Sequence, residues 1–234
     1  MCKMDMHFNM KKFLNFIPSI LIMLTFIVWT ILVKTIDVSY IYGVGYIGFS
    51  HINFQINDYI VNTFARCDTA NLISDIGLYL SFVVVLAFAA IGVVQLIKRK
   101  SLKKVDPILY VLLATYVISV IFYIIFEINK INYSPKSTYY DLKASYPSSH
   151  VLFFTSFVVT GVIALFEYVN VNKIIKIISI SIASIVSICY AVLRLFSAEH
   201  YFSDIIGAIF LSLVVIAIFV ALKRIFINKI KESE

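Results

Sequence analysis

Hydrophobic residues dominate the chain in six long runs that are separated by polar segments. A helix needs roughly 20 apolar residues to cross a bilayer core that is about 30 Å thick. The pattern therefore predicts six membrane-spanning helices, at residues 13–33, 76–97, 107–128, 151–169, 174–193 and 205–222. No stretch remains for a second domain, so we expect one membrane-embedded domain over residues 1–234.

The long segment between the first two runs has a periodicity of its own. Its apolar residues recur at helical spacing, whereas Asn57, Asp58 and Asn62 fall on the other side. An amphipathic helix that lies in the membrane interface produces this pattern. Its expected apolar face comprises Ile56, Tyr59, Ile60, Thr63, Phe64 and Cys67. The predicted fold class is therefore all-α: a polytopic six-helix bundle with an interfacial helix in the first outer loop.

Composition supports a membrane protein. Hydrophobic residues make up 61% of the chain and charged residues only 14%, against about 25% charged in typical soluble domains. The mean hydropathy of +0.95 excludes an ordinary soluble domain. Cys2, Cys67 and Cys189 are scattered, with the spacing of neither a disulfide framework nor a zinc site.

Basic residues accumulate in alternate connections and so predict the topology. One set comprises Lys3, Lys11, Lys12, Lys98, Arg99, Lys100, Lys103, Lys104, Lys173, Lys176, Lys223, Arg224, Lys229 and Lys231. The opposite connections are longer but hold fewer basic residues: Lys34, Arg66, Lys130, Lys136, Lys143 and Arg194. The positive-inside rule then places both termini in the cytoplasm of a multi-pass plasma-membrane protein. The net charge of +7 reflects this topology and attraction to anionic lipids, so we expect no nucleic-acid partner.

Two polar strings lie at the ends of these runs, on the predicted extracytoplasmic face. Residues 146–150 read Tyr-Pro-Ser-Ser-His before the fourth run, and residues 194–204 connect the fifth run to the sixth. His200 and Asp204 are four residues apart and would share one helix face. The carboxylate could then hold one imidazole nitrogen and leave the other as a nucleophile. Arg194 offers a planar fork that matches phosphate oxygens.

The first string adds groups that suit an anion. Ser148 and Ser149 fall where a helix begins, so hydroxyls, free backbone amides and the helix dipole can receive a phosphate. His150 is then available as a general acid. A lone histidine or arginine at a helix end is more often a plain interfacial residue. The residues of the two strings taken together predict a phosphate-transfer site.

The strings resemble the second and third motifs of the type 2 phosphatidic acid phosphatase superfamily, Pro-Ser-Gly-His and Ser-Arg-x5-His-x3-Asp. The resemblance implies a bacterial membrane lipid phosphatase that forms a phosphohistidine and needs no metal or other cofactor. It implies that His200 is the nucleophile, Asp204 its orienting partner and His150 the acid that protonates the leaving oxygen. The implied phosphate ligands are Arg194, Ser148 and Ser149.

The chain departs from the family pattern in several places. The glycine of the second motif is Ser149, and the serine before the arginine is Leu193. The first motif, Lys-x6-Arg-Pro, has no direct counterpart, because no arginine occurs between Arg99 and Arg194. Lysines are the candidates for its place, since a lysine neutralises phosphate as a point charge without bidentate geometry. These candidates are Lys136 with Lys143 at the six-residue gap, or Lys130 with Lys136 at a gap one residue shorter.

Three functions follow as alternatives. The leading prediction is hydrolysis of a lipid phosphate or diphosphate at the extracytoplasmic face, on a substrate such as undecaprenyl diphosphate, phosphatidylglycerol phosphate or phosphatidic acid. A transferase with the same histidine chemistry would pass the group to another acceptor. A noncatalytic relative that binds or transports lipid would explain the missing arginine. The expected partners are the lipid substrate and the bilayer, and the sequence predicts no oligomeric state.

Overall fold

The structure, a computed structural model, describes residues 13–64 and 68–231, with side chains up to residue 227. Some predictions concern residues outside this range. They are the charges of Lys3, Lys11, Lys12 and Arg66 and the thiols of Cys2 and Cys67, together with the side chains of Lys229 and Lys231.

Seven α-helices and one β-hairpin make up the described part of the chain. The helices are α1 (Ile17–Thr35), α2 (Ser50–Phe64), α3 (Asp68–Arg99), α4 (Pro107–Ile128), α5 (Ser149–Leu165), α6 (Lys173–Phe196) and α7 (Phe202–Lys231). Strands β1 (Ser39–Ile41) and β2 (Gly45–Ile47) pair antiparallel between α1 and α2. A short 3-10 turn, Leu102–Lys104, joins α3 to α4.

Five of the described helices are long and apolar enough to cross a membrane: α1, α3, α4, α6 and α7. Helix α5 has 17 residues, the lower limit for a span. It packs against α3, α4, α6 and α7. The predicted all-α, multi-pass membrane fold is confirmed, while the count of six spans stays a prediction.

Helix ends differ from the hydrophobic runs in ways that matter for function. Helix α3 begins at Asp68 rather than at residue 76, so it includes polar residues that hydropathy alone excludes. Helix α7 begins at Phe202. At other ends the local signals agree with the prediction: Pro107 occupies the first turn of α4, and the side chain of Asn172 caps α6.

The predicted helix of the first outer loop is present as α2. Its buried residues are Ser50, Asn53 and Ile60, and it packs on α7. Asn53 ties the two elements together, because its side-chain amide donates to the carbonyl of Gly48 and to Oγ of Ser203. The placement of α2 in a membrane interface stays a prediction.

One end of the bundle collects the starts of α3, α5 and α7 and the ends of α4 and α6. We call it the site end, and the other the opposite end. The loop between α4 and α5 folds over this end, and Tyr146 anchors it. Tyr146 is 1% exposed, and its hydroxyl lies 2.7 Å from Oγ1 of Thr30. Its ring presses on Gly207 of α7, where an added Cβ would lie 2.5 Å from a ring carbon.

Candidate active site

His200 lies in the turn between α6 and α7, before the first residue of α7. Its Nδ1 lies 2.9 Å from the backbone carbonyl oxygen of Ser145, in the loop before α5. A carbonyl only accepts hydrogen bonds, so Nδ1 carries the hydrogen and Nε2 of the neutral ring is left unprotonated. That arrangement suits a nucleophilic imidazole.

The surroundings of His200 keep it uncharged. Burial lowers its pKa well below the ordinary value of 6.5, and the nearby cationic groups of Arg194 and His150 lower the pKa further. The imidazole is therefore neutral at neutral pH. The same electrostatic coupling indicates that both motif strings meet at one place.

The predicted contact between Asp204 and His200 is wrong. That prediction placed both residues on one helix, but α7 begins at Phe202, so His200 lies before the helix. The Asp204 carboxylate instead accepts hydrogen bonds from the backbone amide of Tyr201 at 3.0 Å and from the Asn132 side chain at 2.9 Å. A carboxylate in the first turn satisfies amides that the helix leaves free. Asp204 therefore fastens the α4–α5 loop to the start of α7.

A second group of residues joins α3, α5 and α6. Nε2 of His150, in the first turn of α5, lies 3.0 Å from Oδ1 of Asp75. The same carboxylate oxygen lies 3.9 Å from a guanidinium nitrogen of Arg194. Arg194 also donates to the side-chain oxygen of Asn71 at 2.6 Å. Asp75 and Asn71 thus hold the motif histidine and the motif arginine together.

The sequence-based reasoning missed Asn71 and Asp75. They are four residues apart, so they share one face of α3, and the Asn71 amide donates to Asp75 at 3.3 Å. A signal was available, because both polar residues immediately precede an apolar run at the same predicted membrane face as the motif strings. The hydropathy boundary at residue 76 placed them in a loop.

Three buried side-chain atoms of the motif residues have no hydrogen-bond partner among the described residues. They are Oγ of Ser148, Nδ1 of His150 and Nε of Arg194. Buried polar groups without partners cost free energy, so such atoms favour a ligand that satisfies them. Two can donate and the third can donate when protonated, which fits phosphate oxygens. Ser148 stands at the N-cap of α5, where helix amides also point outward.

The three candidate lysines occupy different places. Lys136 forms an ion pair with Glu199, the residue before His200, and so lies beside the site. Lys143 pairs with Asp141 at an exposed position of the loop. Lys130 is exposed and donates at 3.4 Å to the Leu142 carbonyl. The structure thus brings Lys136 to the site and leaves the other two on the loop surface.

A small pocket of about 30 Å³ opens beside His200 at the site end. Ser149 lines it together with His200, and Tyr123, Phe126 and Glu127 contribute from the last turns of α4. The pocket therefore combines an aromatic wall with groups of the motif strings.

Comparison with known proteins identifies the family and the fold. A sequence model of the PAP2 superfamily, the phosphatase superfamily named above, matches residues 108–227, just over half of the chain. The chain belongs to the PAP2 superfamily. The crystal structure of a transmembrane PAP2-type phosphatidylglycerolphosphate phosphatase from Bacillus subtilis is similar to this PAP2 protein, with a TM-score of 0.64 and 15% sequence identity. The similarity covers 93% of this chain and 99% of that one, which establishes the fold. No curated protein matches the sequence significantly.

The PAP2 fold draws attention to a second register for the first motif. Six residues separate Glu127 from Ser134-Pro135, which keeps the spacing and the proline of Lys-x6-Arg-Pro. In this register the family lysine is Glu127 and the family arginine is Ser134. Glu127 lines the pocket with Ser149 and His200, and Ser134 donates to the Glu199 carbonyl. In this register the lysine position would hold a carboxylate.

Proposed function

We propose that this PAP2 protein is a lipid phosphatase that removes a phosphate from a lipid monophosphate or diphosphate through a phosphohistidine. The observation that carries this proposal is the state of His200: buried, neutral, held at Nδ1 by a carbonyl and adjacent to Arg194 and His150. A neutral imidazole with a free Nε2 beside cationic groups is suited to attack phosphorus.

The first step is attack by Nε2 of His200 on phosphorus. The bond between phosphorus and the leaving oxygen breaks, and the leaving oxygen needs a proton. Asp75 accepts the Nε2 hydrogen of His150, so the donated proton comes from Nδ1 of His150, which has no partner among the described residues. Asp75 stabilises the imidazolium that this role requires.

The second step returns the enzyme to its starting state. Water attacks phosphorus, the bond between phosphorus and Nε2 of His200 breaks, and inorganic phosphate leaves. His150, now neutral, accepts the proton that the water loses. Arg194, the Ser148 hydroxyl and the amides at the start of α5 neutralise the phosphoryl oxygens in both steps. Ser149 contributes one of these amides, and Lys136 adds positive charge at the rim. This scheme needs no metal ion.

In this proposal Asp204 is a positioning residue. It joins Asn132 of the α4–α5 loop to the start of α7. The same loop supplies the Ser145 carbonyl that orients His200. Lys130 and Lys143 would contact phosphate only if the loop rearranges on substrate binding, so we assign them a smaller contribution than Lys136.

The substrate enters from the bilayer with its head at the site end. Basic residues of the described chain concentrate at the opposite end, from Lys98 to Lys104 and at Lys173, Lys176 and Lys223. The positive-inside rule therefore supports a site at the extracytoplasmic face of the plasma membrane. Phosphatidylglycerol phosphate, undecaprenyl diphosphate and phosphatidic acid are the substrates to compare.

Phosphate release from these three lipids, with a chelator present, tests the function. We expect release by the wild-type protein and none above background by His200→Ala. A labelled phosphoenzyme that is stable in base and labile in acid should form in the wild type only. Release by His200→Ala at the wild-type rate would refute the phosphohistidine.

Glu127 favours a second candidate, a PAP2 relative that binds lipid phosphate without turnover. A carboxylate in place of the family lysine weakens a phosphate site by charge repulsion. Under this alternative, calorimetry would detect binding of phosphatidic acid, and no lipid of the panel would release phosphate.

A further inference from the structure

An apolar groove lies between α3 and α4 at the opposite end of the bundle. Its cavity volume is about 260 Å³, just below the range of about 300–1,000 Å³ that is typical of ligand sites. Phe88, Gly92 and Leu96 contribute from α3, Leu109 and Leu113 from α4, and Val105 from the connecting segment. We call this space the α3–α4 groove.

Gly92 helps to keep the groove open. A Cβ added at Gly92 would meet one atom within 4 Å, Cδ1 of Leu109 at 3.7 Å, which is an ordinary contact. A larger side chain at this position would therefore extend into the groove without displacing backbone. This provides a direct way to fill the space.

The segment beside the groove is strongly basic. Its basic residues are Lys98, Arg99, Lys100, Lys103 and Lys104. Arg99 is occupied, because it pairs with Asp106 at 2.6 Å and donates to the carbonyl of Lys104. The four lysines are exposed, and none forms an ion pair with a residue that the structure describes. Cationic groups thus surround one end of an apolar groove.

We propose that the α3–α4 groove binds an acyl chain of an anionic phospholipid whose phosphate lies against the Lys98–Lys104 segment. The apolar walls match the chain, and the lysines match the charged head. This site is separate from the catalytic one, which lies at the other end of the bundle. The proposal therefore does not depend on the proposed function.

Charge favours a lipid over a second copy of this protein as the occupant. A two-fold interface places the same patch of both copies face to face. Docking through this groove would bring two sets of unpaired lysines together, and their repulsion would oppose the contact. An anionic phospholipid neutralises the same lysines.

Native mass spectrometry of the full chain in detergent, with added phosphatidylglycerol or phosphatidylcholine, tests the proposal. We expect phosphatidylglycerol to bind more tightly, and the preference to weaken as ionic strength rises. The double variant Lys103→Gln/Lys104→Gln should bind phosphatidylglycerol about 25-fold more weakly, at about fivefold for each lysine. Lys173→Gln/Lys176→Gln removes two charges from the same end, on α6 rather than on the segment that lines the groove, and should change affinity less than threefold.

Gly92→Leu tests the groove itself. We expect it to reduce tight binding of phosphatidylglycerol while the four lysines remain. If this variant does not fold, the lysine variants decide the question alone. Equal affinity for the two lipids, or an equal loss in both lysine double variants, would overturn the proposal. A wild-type dimer that Gly92→Leu dissociates would identify a second copy as the occupant and would also overturn it.

Discussion

Replacing Asp75 with asparagine removes the carboxylate that joins His150 to Arg194, and leaves a side chain of the same size. The asparagine oxygen can still accept the Nε2 hydrogen of His150 over the same distance of 3.0 Å. The asparagine side chain, however, carries no charge. What is lost is the stabilisation of a protonated His150 and of the guanidinium 3.9 Å away. We therefore expect a slower step of proton donation and an intact fold.

The size of the effect follows from the contact. A hydrogen bond to a charged group contributes about 1.5–3 kcal/mol. Because the Asp75 side chain is 39% exposed, solvent screening favours the lower part of this range. A loss of about 1.5–2 kcal/mol from the transition state lowers kcat by roughly 10- to 30-fold.

Steady-state phosphate release from two kinds of substrate distinguishes proton donation from a general loss of structure. A lipid phosphate has a poor leaving group and needs the acid, whereas an aryl phosphate does not. Asp75→Asn should lower kcat on the lipid and change kcat on the aryl phosphate by less than about threefold. Asp68→Asn is the matched control, because Asp68 lies on the same helix, is exposed and has no hydrogen-bond partner among the described residues. Equal losses on both substrates, or none on the lipid, would refute the role of Asp75.

Three further predictions follow. Burial lowers the pKa of His200 below 6.5, so protonation removes the nucleophile only at lower pH. The acid limb of the pH profile of kcat/KM should therefore have its midpoint below pH 6.5. A midpoint at or above that value would contradict the neutral, buried imidazole. Glu127→Lys restores the family charge at the pocket and should lower KM for phosphatidic acid by about tenfold. Glu127→Gln, which only removes the negative charge, should have a smaller effect. An unchanged KM in both variants would show that Glu127 does not face the substrate phosphate. Gly207→Ala places a Cβ 2.5 Å from the Tyr146 ring and should lower the free energy of unfolding by about 1–3 kcal/mol. Gly92→Ala meets no close atom and should not, so thermal unfolding of both variants tests the packing. Equal stabilities would contradict the tight packing at Tyr146.

The sequence predicted the fold class because hydrophobic runs of span length have few alternatives to helices in a bilayer. It also predicted that both motif strings lie at one membrane face; the structure brings His150, Arg194 and His200 together at one end of the bundle, and the membrane face stays a prediction. Asp75 was missed for a physical reason: its pairing depends on how α3 packs beside α5 and α6, which a pattern along one chain does not contain.

The contact of Asp204 shows a different limit. Spacing of four residues predicts a shared face only if both residues are helical. The first residue of α7 depends on which acceptor satisfies the free backbone amides at the start of the helix. Here the Asp204 carboxylate accepts from the backbone amide of Tyr201, and the helix begins at Phe202. The lysines were equally undetermined, because the loop path that brings Lys136 to Glu199 is set by tertiary contacts.

The group that fixes the tautomer of His200 is a main-chain carbonyl, which every amino acid at position 145 would provide. Alanine scanning would therefore pass over it, because Ser145→Ala keeps the carbonyl. Only a change that moves the loop backbone can alter the imidazole. Inhibitors that wedge against the loop near Tyr146 could thus disable the nucleophile without touching any motif residue, and resistance would have to arise in the packing of the loop.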